Sequence, residues 1–497
     1  MKKLQFPTAH TVLLLIAAIV CLLTWVIPSG KYDRLSYNTA TDTFQTEGTT
    51  SLTLPATQET LENLNIKIPL EKFKDGSIFK PIGIPNTYHK TEANPQGLLA
   101  FFQAPLKGIE ETIGIILLVL FIGGTIGLVH QTGAFDSGIA SLVKMLKGKE
   151  FLLIIFITSL IAAGGTTFGM AEETIAFYPI LVPVFLAAGY DALVAVACVY
   201  IGSSMGTMAS TVNPFATIIA SDAAGINWTS GINGRIMFLF TGLAICLWYI
   251  LRYARKVKKT PSSSIIFDQK EEIEKAFLKT DTSRVSVLNL RQKLILLVFT
   301  LCFIIMVYGV SSLEWWFLEM TTVFFIGTLV LGFLSGIGER QVVKSFVRGA
   351  SDLLSVALII GVARGITILM DQGQISDTLL FESSRLVEGM PKAIFANVLY
   401  FLYIGLSLFI SSSSGMAVLT MPVFAPLADV VGVSREVIVN AYQYGQGVFA
   451  FINPTGLILA SLTVVNVGFD KWLKFIMPLL GILLIMGMIA LTAGVYL

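Results

Sequence analysis

Asn213-Pro214 and Asn453-Pro454 lie 240 residues apart, and each falls in the middle of a long apolar segment. The runs Asn213–Ser221 and Asn453–Ser461 share Asn, Pro, Ile, Ala and Ser in register. A proline inside a helix removes a backbone donor and clashes with the preceding turn. In hydrocarbon such a break survives only where it lines a cavity enclosed by protein. Two breaks at matching places in two half-chains therefore point to a solute-binding site between repeats.

The rest of the chain agrees with a membrane setting. Of 497 residues, 54% are hydrophobic and 13% charged, and the mean hydropathy is +0.77; a soluble domain of this size rarely looks so. A net charge of +2 gives no reason to expect a nucleic-acid partner. Cys21, Cys198, Cys246 and Cys302 all lie in apolar runs and read as small core side chains, with neither disulfide nor metal spacing. The expected class is an all-α polytopic membrane protein of about nine crossings plus two re-entrant hairpins.

Met1-Lys2-Lys3 followed by the apolar run Thr11–Ile27, without a small-x-small cleavage site, reads as an uncleaved first transmembrane helix within residues 1–30. Polar residues 31–107 read as an extracytoplasmic loop or small cap. Residues 108–251 form repeat 1, with a hairpin at 151–188 and a broken helix at 192–224. Residues 252–293, opened by Arg252, Arg255, Lys256, Lys258 and Lys259, read as a cytoplasmic linker. Residues 294–497 form repeat 2, with a hairpin at 395–430 and a broken helix at 437–465. The positive-inside rule, applied to these basic residues and to Lys2, Lys3, Lys144, Lys147, Lys149, Arg340, Lys344, Arg348, Lys471 and Lys474, puts the N-terminus in the cytoplasm and the C-terminus outside. The hairpins then open to opposite sides, so the repeats are inverted.

Hairpin tips and broken helices offer carbonyls, helix ends and short polar side chains at mid-membrane. The candidate substrate residues are Thr166, Thr167, Asn213 and Thr217 from the first half, and Ser412, Ser413, Ser414, Asn453 and Thr455 from the second. A coupling Na⁺ is expected near Gly165, Thr166, Ser210, Thr211, Ser412 and Asn453, with H⁺ as the other coupling ion and no further cofactor. Glu172, Glu173 and Arg364 break the symmetry, because a charge at membrane depth is costly and marks function by default. The glutamates suit a cationic amine or a proton. Arg364 suits a carboxylate, and its alternative is an ion pair with an internal acid such as Glu172. On an α-helix only one of the two adjacent glutamates need face the cavity. Gly202-Ser203-Ser204-Met205-Gly206 matches the hydrolase pattern G-x-S-x-G without a preceding strand. No phosphate-binding loop is evident, so gradients or exchange would drive transport.

Phe6-Pro7-Thr8-Ala9-His10-Thr11, Leu23–Gly30, and Thr167–Thr174 with Tyr178-Pro179 resemble the YfcC family of basic amino acid antiporters, relatives of the anaerobic dicarboxylate carriers in the ion transporter superfamily. The resemblance covers nearly the whole chain. It implies a homodimeric elevator in the bacterial inner membrane, with both hairpins and both broken helices in the moving part. The expected function is a secondary exchanger of arginine, ornithine or lysine. Its alternatives are a carboxylate carrier coupled to Na⁺ or H⁺ and, remotely, a membrane-embedded hydrolase using Ser204.

Overall fold

The computed structural model describes residues 8–49, 51–66, 68–74, 78, 81–135, 137–138, 141, 149–278, 288–313, 315–387 and 389–496. Lys2, Lys3, Phe6, Pro7, Lys144 and Lys147 lie outside them. Among the described residues, nine helices are long and apolar enough to cross a membrane. Three of them lie in the segments 151–188 and 395–430 read above as hairpins, and the helices within 192–224 and 437–465 are too short to be included.

Helix α1 (Ala9–Val26) is capped by the Thr8 hydroxyl, which accepts from the Thr11 amide, and it gives way to extended chain at Ile27 ahead of Pro28. The following segment folds as a small β cap. An antiparallel sheet in the order β4 (Thr53–Pro55), β3 (Thr43–Glu47), β2 (Arg34–Asn38), β5 (Ile82–Gly83) stands beside the pair β1 (Gly30–Lys31) and β6 (His89–Lys90). Leu35, Phe44, Leu61, Phe73 and Ile82 are its buried core. The cap is sewn to the corner after Gly373. Asp377 accepts from Arg34 Nη2 at 2.9 and 3.1 Å and from the Tyr32 amide at 3.0 Å, and Ser29 donates to the Gly373 carbonyl at 2.9 Å. Asp377 is 4% exposed. Replacing it with Ala strands a cation and a buried amide, a loss of about 2 kcal/mol. The expected result is about 30-fold faster amide hydrogen exchange across β1 and β2 with the helices unaffected; unchanged exchange would mean that other contacts hold the cap.

Chain expected to be loop forms helix α2 (Leu98–Glu111), followed after Thr112 by α3 (Ile113–Gln131). Pro105 inside α2 and its polar residues hide it in sequence; packing reveals it. The second half repeats the arrangement with α12 (Glu339–Asp352), Leu353 and α13 (Leu354–Gly373). The pairs are exchanged: α2 lies on α13, and α12 on α3. Glycines allow the backbones to touch. A Cβ at Gly108 would sit 2.0 Å from the Gly361 carbonyl oxygen, and one at Gly349 would sit 2.2 Å from that of Gly123. Such small-residue contacts are how membrane helices approach closely. Arg340, Lys344 and Arg348 lie on α12, a helix the expected path left unassigned.

The first hairpin is α4 (Phe151–Phe168), a 3-10 turn (Glu172–Phe177) and α5 (Tyr178–Ala187). Helix α6 (Ala192–Met208) carries a wide turn at Ala197–Ile201 and is followed by the Asn213 break, a π turn (Pro214–Ile218) and α7 (Ile219–Ala223). Helix α8 (Ile232–Lys259) ends in Lys256, Lys258 and Lys259, which suit the negative end of its dipole. The linker holds α9 (Lys270–Phe277). Helices α10 (Leu290–Ser312) and α11 (Phe317–Ser335) precede α12, and α14 (Ser376–Val387) follows α13. The second hairpin is α15 (Lys392–Phe409) and α16 (Ser413–Val431). The second broken helix is α17 (Arg435–Ala450) and α18 (Ile458–Val465), and α19 (Phe469–Tyr496) closes the chain.

Candidate functional site

Each Asn-Pro break is held by the same local chemistry. The Asn213 side-chain oxygen accepts from the Phe215 amide at 2.8 Å, and that of Asn453 accepts from the Thr455 amide at 3.0 Å. The asparagine thus recaptures the first donor past the proline, an Asx turn that starts the next helical piece. Asn213 and Asn453 are 2% and 6% exposed, so solvent does not fill this need.

The first tip is built against the first break. Helix α4 runs through Phe168, so most of the Gly164–Gly169 stretch is helix. It ends at Gly169 with φ +74°, the left-handed C-cap that favours glycine. A Cβ there would meet the Asn213 amide nitrogen at 2.7 Å. Thr166 Oγ1 donates to the Ala209 carbonyl at 2.8 Å, its carbonyl accepts from the amides of Thr211 and Val212, and Ser203 donates to the Met170 carbonyl at 2.5 Å. The second tip is capped by Ser412, whose hydroxyl accepts from the Gly415 amide at 3.2 Å, and Asn453 Nδ2 donates to the Ser407 carbonyl at 3.1 Å.

Tips and breaks enclose a cavity of about 550 Å³, large enough for a small metabolite. Of the expected residues, Glu172, Glu173, Asn213, Arg364, Ser412, Ser413, Ser414, Asn453 and Thr455 line it. Thr166 and Thr217 are buried behind its wall, and Thr167 is exposed away from it. Thr167 donates to the Ala163 carbonyl at 2.6 Å, and Thr217 donates to Ser210 Oγ at 2.7 Å and accepts from Gln443 Nε2. The residues expected around Na⁺ divide. Thr166 and Thr211 are hydrogen bonded to each other behind the first tip, and Ser210 is bonded to Thr217. Among the described residues no hydrogen bond joins Ser412 or Asn453 to either group.

Both glutamates line the cavity from the start of the 3-10 turn. Glu173 is 9% exposed, and one of its oxygens accepts from the Ala171 amide at 3.1 Å. No other residue donates to the Glu172 carboxylate among the described residues. Arg364 pairs with Glu111 rather than Glu172: Nε to Oε2 is 2.7 Å. Glu111 ends α2, and nothing local in the sequence names it as the partner of Arg364. Tyr200, Gln443, Gln446 and Trp316 also line the cavity. Gln443 and Gln446 stand three apart on α17, and sequence reading did not single them out. Ser204 lines the wall from within α6, not from a strand-to-helix elbow. A larger cavity, about 680 Å³, lies between the cap and the Gln374–Asp377 corner, and no hairpin tip or broken helix reaches it.

The family model of the C4-dicarboxylate anaerobic carriers, DcuC, matches residues 6–496. A Haemophilus influenzae protein named only "Uncharacterized protein" is 44% identical over 497 residues, covering 99% of this chain and 98% of that one. The Escherichia coli K12 "Putative basic amino acid antiporter YfcC" is 30% identical over 516 residues, covering 99% of this chain and 97% of that one. The crystal structure of the Alcanivorax borkumensis YdaH transporter covers 98% of each chain at 15% identity with a TM-score of 0.39, a likeness too slight to argue from. The chain is a multi-pass membrane transporter and belongs to the C4-dicarboxylate anaerobic carrier family, in which YfcC is a full-length relative.

Proposed function

We propose that this transporter exchanges amino acids with a cationic side chain: arginine, ornithine or lysine. The observation that carries the reading is the charge balance of the cavity. Its basic residue, Arg364, is paired with Glu111, while Glu172 has no partner from another residue and Glu173 stands beside it. A paired arginine and two further carboxylates favour a ligand that brings positive charge into a site of low dielectric. The tip hydroxyls of Ser412, Ser413 and Ser414, with the outer nitrogens of Arg364, would hold the ligand's α-carboxylate. The name of YfcC agrees with this reading.

The mechanism we favour is an elevator in a homodimer of the bacterial inner membrane, with the N-terminus in the cytoplasm and the C-terminus outside. The hairpins and broken helices would move against the crossed pairs α2–α13 and α12–α3, which relate the halves as inverted repeats. Exchange needs no coupling ion; if one is used, the buried oxygens around Thr166, Thr211 and Ser210 would hold Na⁺, and the glutamates would hold H⁺.

The second reading is a C4-dicarboxylate carrier, favoured by the name of the matching family. Thermal stabilisation of the purified protein separates the two. A ligand at 100 times its Kd adds about 2.7 kcal/mol of stability. We expect that shift with arginine, ornithine or lysine, with or without Na⁺. A shift only with dicarboxylates, abolished in Arg364→Ala, would replace the first reading with the second.

A further inference from the structure

We infer that Glu111 sets the charge class of the solute this carrier accepts, acting through Arg364; the inference rests on the cation reading above. Glu111 and Arg364 are 253 residues apart in sequence, and the packing of α2 on α13 brings their side chains together. Gly108 lies against Gly361, and Ala104 and Pro105 lie against Gly365, so the two helices run antiparallel and the charged residues, each three positions past its glycine, reach back across the contact toward one another. The contact is between backbones, so neither helix can withdraw without opening the α2–α13 seam. Over that seam the two long side chains close to 2.7 Å from Nε to Oε2.

The pair is also not buried away from the solute. Glu111 and Arg364 both line the cavity and are 47% and 34% exposed. Only Nε of Arg364 is engaged by Glu111, and among the described residues Nη1 and Nη2 have no hydrogen-bond partner. The guanidinium thus keeps a two-donor edge that suits one carboxylate. Glu111 cancels its charge, so a solute with a single carboxylate finds directional donors without a net positive field. A second carboxylate would be placed among Glu111, Glu172 and Glu173 and repelled. Glu111 is in this sense a positioning and filtering residue: it leaves Arg364 its geometry and removes its preference for dianions.

The test is a preference ratio, which a merely structural staple would not move. Dissociation constants for arginine and for succinate are measured calorimetrically on the full-length purified carrier, at one pH and low salt. In Glu111→Gln the ratio of the succinate to the arginine constant is expected to fall about tenfold, the effect of one unit charge about 10 Å away at an effective dielectric near 20. In Glu111→Gln combined with Arg364→Gln that shift is expected to vanish. A ratio within about threefold of wild type in Glu111→Gln overturns the inference, and so does an undiminished shift in the double variant. If Glu111→Gln cannot be purified, Glu111→Asp, whose carboxylate is withdrawn by one methylene, should move the ratio the same way by about threefold, and no movement overturns it. Wild-type protein that binds succinate and not arginine would refute the cation reading alone. Glu111 would still be judged by whether its removal tightens succinate about tenfold.

Discussion

Glu172→Gln combined with Glu173→Gln is expected to weaken arginine binding about 100-fold while the protein still folds. Loss of one partner from a desolvated, hydrogen-bonded charge pair costs about 2–5 kcal/mol, and the middle of that range is more than 100-fold. The two positions should contribute unequally. Glu173 is 9% exposed and already accepts the Ala171 amide, so part of its carboxylate serves the tip. Glu172 is half-buried and unclaimed by another residue. Glu172→Gln alone should therefore carry most of the loss in affinity. Glu173→Gln should instead lower thermal stability, because its uncharged amide holds the Ala171 amide less well. Isothermal calorimetry with arginine, beside thermal unfolding of each variant, separates these effects. Arginine binding within threefold of wild type in the double variant would remove the glutamates from substrate recognition.

Gly349→Val is expected to abolish assembly of the two halves. The valine Cβ would lie 2.2 Å from the Gly123 carbonyl oxygen and 2.8 Å from Gly127 Cα, and both are backbone atoms that cannot rotate aside. Overpacking of a tight core costs about 1–3 kcal/mol or more, and here it also separates α12 from α3 along their length. The mirror-image variant Gly108→Val meets the Gly361 carbonyl in the same way and should behave alike. Gly481→Ala is the control: it has nothing within 4 Å of its added carbon, and the lost glycine entropy makes it neutral or slightly stabilising. Size-exclusion chromatography of detergent extracts reads the outcome directly. A monodisperse Gly349→Val protein with wild-type melting would show that α12 and α3 can part without unfolding the carrier.

These two expectations draw on different kinds of legibility. The two Asn-Pro breaks and the glutamates beside the first tip are plain in the linear sequence. A proline in an apolar run creates a backbone need wherever it lies, and an acidic pair in such a run is conspicuous. By contrast, residues 98–107, most of helix α2, read as loop: Pro105 and Lys107 interrupt the apolar pattern. It is helical because Gly108 lets it lie on α13. The same is true of the polar residues at the tips. Ser412 and Thr167 look equivalent in sequence, yet one lines the cavity and the other donates to a carbonyl of its own helix.

The places where the two Asn-Pro helices break follow from local properties of the chain, because an unpaired backbone group is costly wherever it lies. The pairing of Arg364 with Glu111, the docking of the cap on Asp377 and the choice of which hydroxyls face the solute do not. Each depends on which distant segment arrives beside a given side chain, and that is settled when helices more than 200 residues apart are packed against one another.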